Sequence, residues 1–364
     1  MKNYHSYLLN ELSCDRESIS ELLTTDSEEL RSALFCKAES VRNSNTGNRV
    51  FLRGLIELSN QCSRDCHYCG IRAGNHKTRR YEMDHQEVMD CVSFAWDNRL
   101  RSVVIQSGER SDREFIRKIG QILNDIKKQY AGDMVVTLSC GEQSEETFKY
   151  WRECGASRYL LRIETSNTGL YERLHPADGK HSFRNRLKAL ETLKKLDYQT
   201  GSGVMIGVPG QTMEMLAMDL AFLRNFNVDM VGMGPYIEHQ DAKLPPDPEI
   251  NLSLHQRLEL SLRMIALLRL LMPDINIAAS TALQAIDADA RLRAIRCGAN
   301  VVMPNITPLK YREDYLLYDN KPGVKIDGAA NLEYWNRILS STACVPAWDE
   351  AGDPKHYKMK KILI

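Results

Sequence analysis

The sequence predicts an α/β fold: a (βα)8 barrel of the TIM type, with a helical extension before it and a second extension after it. Two patterns carry that expectation. From residue 50 onward, eight short β-rich runs alternate with long amphipathic ones. The runs also end in glycine, serine or ionisable residues, as strands do at the catalytic face of a parallel barrel. A doubly wound open sheet is the alternative, because hydrophobic patterning does not display closure.

Residues 1–45 are polar with helical spacing at Leu8, Leu9 and Leu12, then Leu22, Leu23, Leu30 and Leu34, and Ser20 and Asp26 are the expected N-caps. The expected strands are Val50–Leu58, Ser102–Gln106, Met134–Ser139, Arg158–Arg162, Gly203–Ile206, Asp229–Met233, Ile275–Ala279 and Asn300–Met303. Between them run stripes with apolar residues three and four apart, such as Val88, Cys91, Val92, Ala95 and Trp96, or Phe115, Ile119, Ile122, Leu123 and Ile126. The segment Leu252–Leu271 is apolar nearly all round toward its end and reads as buried. Pro245, Pro246 and Pro248 make Asp241–Glu249 a loop. The barrel is assigned to residues 46–304. Residues 305–364 read as an extension packed over it, anchored by Tyr311, Tyr315, Tyr318, Tyr334 and Trp335.

Composition narrows the function. At 364 residues and 43% hydrophobic the chain suits one large core. Lys plus Arg equals Asp plus Glu at 48 each, so no overall field favours nucleic acid or an anionic membrane. No run approaches the roughly 18 apolar residues of a membrane span. The opening Met-Lys-Asn-Tyr-His-Ser leads into charged sequence without an apolar core, so export is not expected. Ten cysteines then imply a reducing cytoplasm and metal or core roles.

The chemistry concentrates in Cys62-Ser-Arg-Asp-Cys66-His-Tyr-Cys69, directly after the first strand. Three thiolates on one short loop can hold three corners of a four-iron cluster and leave the fourth iron open. A structural zinc site is the competing reading, but it closes with four ligands and usually draws on two cysteine pairs, of which no second follows nearby. His67 is the one neighbouring candidate for a fourth ligand. If S-adenosylmethionine chelates the open iron, its polar groups need partners at the strand ends. Ser107, Gly108 and Glu109 offer carbonyls or a carboxylate to its ammonium, Glu164 accepts from the ribose, and Arg162 or Arg173 pairs with its carboxylate. A rim salt bridge also explains Arg162 and Glu164. Gly207 lets backbone approach an adenine, or is an ordinary turn. Tyr68 lies beside the adenine or packs. Cys140 either faces the cavity or fills core, whereas Cys91, Cys154 and Cys297 sit on apolar helical faces.

The C-x3-C-x2-C loop with an aromatic before its last cysteine resembles the radical S-adenosylmethionine superfamily. Within it, Glu57–Asn60, Gln106–Glu109, Arg158–Arg162 with Glu164-Thr165, Ile206–Thr212, Asp229–Pro235 and Cys297–Asn305 resemble the HydE-type maturases of FeFe-hydrogenase. The likeness covers roughly residues 30–320. It implies one 4Fe-4S cluster on Cys62, Cys66 and Cys69, S-adenosylmethionine as co-substrate, and a 5′-deoxyadenosyl radical formed on reductive cleavage. It also implies an iron-complex or small-molecule substrate, a reductant such as ferredoxin or flavodoxin, and other hydrogenase maturases as partners. The substrate would meet Arg53, Thr137, Ser139, Thr281 and Met303 inside the barrel. Methylornithine synthase-like or biotin synthase-like chemistry is the alternative within the superfamily, and a non-enzymatic cluster carrier is the alternative outside it. Two departures stand out. The last 60 residues hold only Cys344, so no second cluster is expected, and Ile163 stands where close relatives have histidine, altering the cavity wall.

Overall fold

A computed structural model describes residues 16–362, so the stripe at Leu8, Leu9 and Leu12 lies outside the described residues. The helix Arg16–Thr24 contains Ser20 rather than starting there. The next, Glu28–Thr46, is capped by Ser27, not Asp26: the Ser27 hydroxyl accepts from the Leu30 amide at 3.2 Å. Its Leu30, Leu34 and Ala38 are buried, and it packs against the apolar helix Leu254–Leu271. These two N-terminal helices therefore lie against the outside of the barrel.

The strands are β1 (Arg49–Leu52), β2 (Gly54–Ser59), β3 (Ser102–Ser107), β4 (Val135–Ser139), β5 (Ala156–Leu160), β6 (Gln199–Ser202), β7 (Met205–Ile206), β8 (Met230–Val231), β9 (Gly234–Pro235), β10 (Asn276–Ile277), β11 (Val301–Val302) and β12 (Val345–Pro346). Seven of them form one parallel sheet in the order β10-β8-β6-β5-β4-β3-β2. The first expected strand is interrupted at Arg53, and its lower half β1 pairs in parallel with β11 through Phe51↔Val301 and Leu52↔Val302. Ala278↔Val301 and Leu55↔Asn305 are further parallel bridges. These links join both edges of the sheet through β11, and the barrel closes.

Expected strand five needs correcting. The sheet strand is Gln199–Ser202, four residues before the predicted Gly203, while Met205–Ile206 pairs separately with Gly234–Pro235 above it. The run Gln-Thr-Gly-Ser lacks the apolar alternation that marks a strand, yet all four residues are buried. The interior here is polar, so the usual signal vanishes.

Strand alternation then sorts side chains. On β5 and just past it, Tyr159 points to the helix layer, its ring 5.0 Å from Phe148 and 5.9 Å from Tyr198. Leu160 lines the barrel interior, with Arg158 and Arg162 on the same side. Ile163 falls on the Tyr159 side and is fully buried in the apolar core. It therefore does not form the cavity wall, contrary to the expectation from sequence. Cys140 is likewise fully buried among core residues.

The C-terminal segment covers both ends of the barrel. Residues 305–326 cross the upper end, where Tyr315 is buried and Lys321 reaches the carboxylate of Glu57. The chain then descends through the helix Gly328–Ser340 to β12, which extends β1 through Arg49↔Val345 and Val50↔Pro346. Beyond β12, Ala351–Asp353 close the floor. The Gly352 carbonyl accepts from Asn276 at 2.8 Å and from Arg53 at 3.3 Å, and Arg158 donates to the Ala351 carbonyl at 2.9 Å.

Candidate active site

The cysteine loop follows β2 at the upper end of the barrel and is held by its own polar residues. Arg80 donates to the carbonyls of Asn60, Ile71, Arg72 and Asn75 at 2.6–2.9 Å. Asp65 accepts from Arg72 at 2.8 Å and from the Gly74 amide at 2.9 Å. Outside contacts fix its position: the His67 amide donates to the Leu174 carbonyl at 2.9 Å, and the Gly70 amide to that of Leu317 at 2.9 Å. Gly108 is a glycine for space, since a Cβ there would strike the Gln61 carbonyl and the Cys62 side chain. So many bonds leave a loop of this length one conformation.

The three thiols share this loop, and the Sγ of Cys62 accepts from the amides of Arg64 at 3.4 Å and Glu109 at 3.3 Å. Burial raises the pKa of all three. Cys69 is pushed up to about 12 by burial and then by Cys62, and Cys66 is raised further by its two neighbours. Such thiols become ligands only where a bound cation supplies the missing charge. The donor set therefore fits an iron–sulfur cluster and gives no reason for bare thiolates.

Next to the loop, Arg162 and Glu164 face one another, Nη2 to Oε2 at 3.0 Å. That ion pair leaves much unsatisfied: Arg162 Nε and Nη2 and Glu164 Oε2 are buried without a well-directed hydrogen bond. Glu164 has φ 66°, a left-handed conformation that is uncommon outside glycine, and its amide and carbonyl bond to the Gly203 carbonyl and the Met205 amide at 3.0 and 2.9 Å. Asp219 holds the same turn from behind, accepting from the Ser166 amide and hydroxyl at 2.5 and 2.7 Å. Buried unsatisfied atoms on a strained, braced turn are what a polar ligand would complete.

Other expected contacts are placed differently. Glu109 is buried and ion-paired with Arg64, and its backbone carbonyl accepts from Ser63. Ser107 donates to the Gly108 carbonyl at 2.7 Å. Arg173 pairs with Asp247 of the proline-rich loop at 3.1 Å, with 43% of its side chain exposed. Gly207 has φ 77°, its amide donates to Gln211 at 2.7 Å, and Arg257 fills the space beside it, so the turn alone accounts for this glycine. Tyr68 packs in a small apolar cluster with Leu170, Leu174, Met205, Val208 and Tyr236.

Below this turn lies a small cavity of about 30 Å³, lined by Arg53, Thr137, Leu160, Met230 and Met303, among others, and the Nε of Arg53 and Oγ1 of Thr137 have no partner. Met303 also borders a second space with Thr281, Arg291, Asn305 and Lys321. Ser139 lines neither. Sequence reasoning missed Glu57, Lys321 and Arg291. Glu57 stands four residues after Arg53 on an inward register, which was a usable signal, whereas nothing local marks Lys321 or Arg291. Burial pulls the guanidinium of Arg291 down to about 10, and burial followed by Arg158 pulls Arg53 well below its ordinary range. Neither has a carboxylate within ion-pair distance among the described residues, so an anion inside the barrel would meet two under-neutralised cations.

A cysteine loop above a closed barrel, with unfilled polar groups at the strand ends, suits an enzyme that uses a cluster and a polar co-substrate. The sequence profile of the Radical SAM superfamily matches residues 56–223. Together with the first relative below, that match places the chain in the radical SAM superfamily. It is 42% identical over 332 residues, 91% of this chain and 88% of the other, to the [FeFe] hydrogenase maturase subunit HydE of Thermotoga maritima. It is 27% identical to a 3-methylornithine synthase of Methanosarcina acetivorans, over 79% of this chain and 78% of that one. Among solved structures, methylornithine synthase (PylB) superposes with a TM-score of 0.78 at 22% identity, covering 99% of both chains. The FeFe-hydrogenase maturase HydG from Carboxydothermus hydrogenoformans superposes at 0.77 and 18% identity, covering 95% of this chain and 80% of its own. These two likenesses establish the fold alone. Enzymes of this superfamily use a 4Fe-4S cluster and S-adenosylmethionine, and this chain is such an enzyme.

Proposed function

We propose that Cys62, Cys66 and Cys69 hold the one cluster of this protein and that the Arg162–Glu164 turn receives S-adenosylmethionine. The observation that carries this reading is the pairing of three partly buried thiols with the Arg162–Glu164 ion pair at the same end of the barrel, whose Nε, Nη2 and Oε2 are buried without a directed hydrogen bond. The cluster, when bound and reduced, supplies the electron that breaks a carbon–sulfur bond of the co-substrate. The chain's own residues do the rest. Arg162 offers donors to the methionine carboxylate, Glu164 accepts from the ribose, and the carbonyls of the Ser107–Glu109 turn accept from the ammonium. Tyr68 supports this loop from the apolar cluster, and Gly207 shapes the neighbouring turn. Arg173 stays at the rim with Asp247. Burial of the barrel interior keeps water from a reactive radical.

The reaction we infer is a step in assembling the diiron subcluster of FeFe-hydrogenase, supported by the 42% identity to HydE across nearly the whole chain. An anionic iron complex suits Arg53 and Arg291, with Thr137, Thr281 and Met303 as further wall residues. A cytoplasmic ferredoxin or flavodoxin is the fitting reductant, and other maturases are the fitting partners. Among the described residues no helix is long and apolar enough to cross a membrane. Methylornithine synthase-like chemistry is the second reading, favoured by the relative at 27% identity. Maturation of an apo-hydrogenase with and without this protein decides between them. Activity that depends on it supports the maturase reading, and full activity without it contradicts that reading.

A further inference from the structure

Beside Cys66 lie two histidines that the cluster does not use. His175 ends the helix Thr168–Leu174, and His181 directly precedes Ser182, the cap of the helix Phe183–Lys195. The connection between these helices folds back, bringing the two imidazole rings to 4.8 Å, centroid to centroid, at 31°. One ligand atom from each of Cys66, His175 and His181 lies within 4.8 Å of the others.

The bonding of His175 fixes its tautomer. Its Nδ1 stands 2.8 Å from the Tyr171 carbonyl, which can only accept, so Nδ1 carries the proton and Nε2 presents a lone pair. His175 is 3% exposed, and its Nε2 is buried without a partner. A histidine oriented by Nδ1–H to a backbone carbonyl, with its other nitrogen free, is the usual arrangement of a metal ligand. A thiolate and two imidazoles suit a thiophilic divalent cation such as zinc, with a fourth position left for water. Tetrahedral zinc needs these atoms roughly 3.5 Å apart, so the site closes by a movement of about 1 Å or slightly more in half-buried His181, whose Nε2 otherwise accepts only a long bond from the Asp65 amide at 3.4 Å.

We propose that Cys66, His175 and His181 form a binding site for a zinc-class divalent cation in the cluster-free protein. Cys66 cannot serve this ion and the cluster together. The cation therefore holds the loop ordered before assembly and leaves when the cluster enters, a consequence that rests on the cluster reading above.

Cobalt(II) tests the site directly. One equivalent is added anaerobically to the full-length, cluster-free protein, and four-coordinate d–d bands with a thiolate-to-cobalt charge-transfer band are expected. The bands should survive in a Cys62→Ser/Cys69→Ser double variant and vanish in Cys66→Ser. His181→Asn, at a half-exposed position, should weaken binding at least about tenfold while melting like the wild type, and His175→Gln, at a buried position, should weaken it as much. Bands that persist in both histidine variants but disappear with Cys62 and Cys69 would overturn the site, as would absence of binding. Failure of the cluster reading would show separately, as four irons retained by Cys66→Ser after reconstitution. Zinc pre-loaded at one equivalent should slow iron uptake by the wild type and leave that of His181→Asn unchanged, and equal slowing in both would contradict the shared use of Cys66.

Discussion

Arg158 and Arg162 stand four residues apart on the same inward face, with Leu160 between them, and the protein treats them oppositely. Arg158 is fully buried and fully engaged: it donates to Gln199 at 3.0 Å, Ser102 at 3.1 Å, the Ala351 carbonyl at 2.9 Å and Asp353 at 2.6 Å. Arg162 meets one carboxylate and keeps two buried nitrogens without directed bonds. The floor around Arg158 is thus a finished polar network sealed by the chain's own tail. The upper end is an unfinished one. A barrel of identical strands acquires a working end and a structural end by where its hydrogen bonds are left open.

Substitutions at the two arginines sharpen that contrast, with the floor giving the larger effect. Arg158→Met should destabilise the fold by about 3–5 kcal/mol, because Gln199 and Asp353 lose a buried cationic partner. Chemical denaturation should detect this as a lower midpoint at unchanged slope. The next effect concerns the support of the upper turn. Burial raises the Asp219 carboxyl to about 7, against the hydrogen bonds of Ser166 and Thr165 that lower it. Its folded value exceeds its unfolded value near 3.9, so its contribution is complete below about pH 4 and is lost as pH rises through about 7. The loss amounts to roughly 4 kcal/mol at most, and Asp219→Asn should flatten the stability profile across that window.

Arg162→Met should lower the denaturation midpoint less than Arg158→Met, since only the ion pair with Glu164 is lost, but weaken S-adenosylmethionine binding by about 1.5–3 kcal/mol, the value of charge-assisted hydrogen bonds. Equilibrium dialysis against the labelled co-substrate reads this directly. If Arg162→Met unfolds the protein as Arg158→Met does, the two ends are not distinct. The smallest effect belongs to Cys344. It is buried, and its Sγ lies 3.6 Å from Arg42 Nη1. Cys344→Ser should leave iron near four per chain after reconstitution, on the basis that one cluster needs only the triad.

Much of the working end was legible in sequence because its chemistry is local. Cys62, Cys66 and Cys69 occupy eight consecutive positions, and Arg162 and Glu164 share one strand end. The floor was illegible for the opposite reason. Gln199 and Arg158 share the partner Asp353, which lies more than 150 positions away. Lys321 reaches Glu57 across 264 positions, and no local pattern could pair them. Ile163 was misplaced because its neighbours Arg162 and Glu164 read as cofactor contacts. Alternation sends the residue between two inward side chains outward.

The most direct measurement is the yield of 5′-deoxyadenosine from the anaerobically reconstituted, dithionite-reduced protein given S-adenosylmethionine. The wild type should form it, and Cys62→Ser, Cys66→Ser and Cys69→Ser should each lose both the cluster's visible absorption and the product. Intact four-iron wild type that forms none, or a triad variant that still does, would contradict the assignment of this end of the barrel.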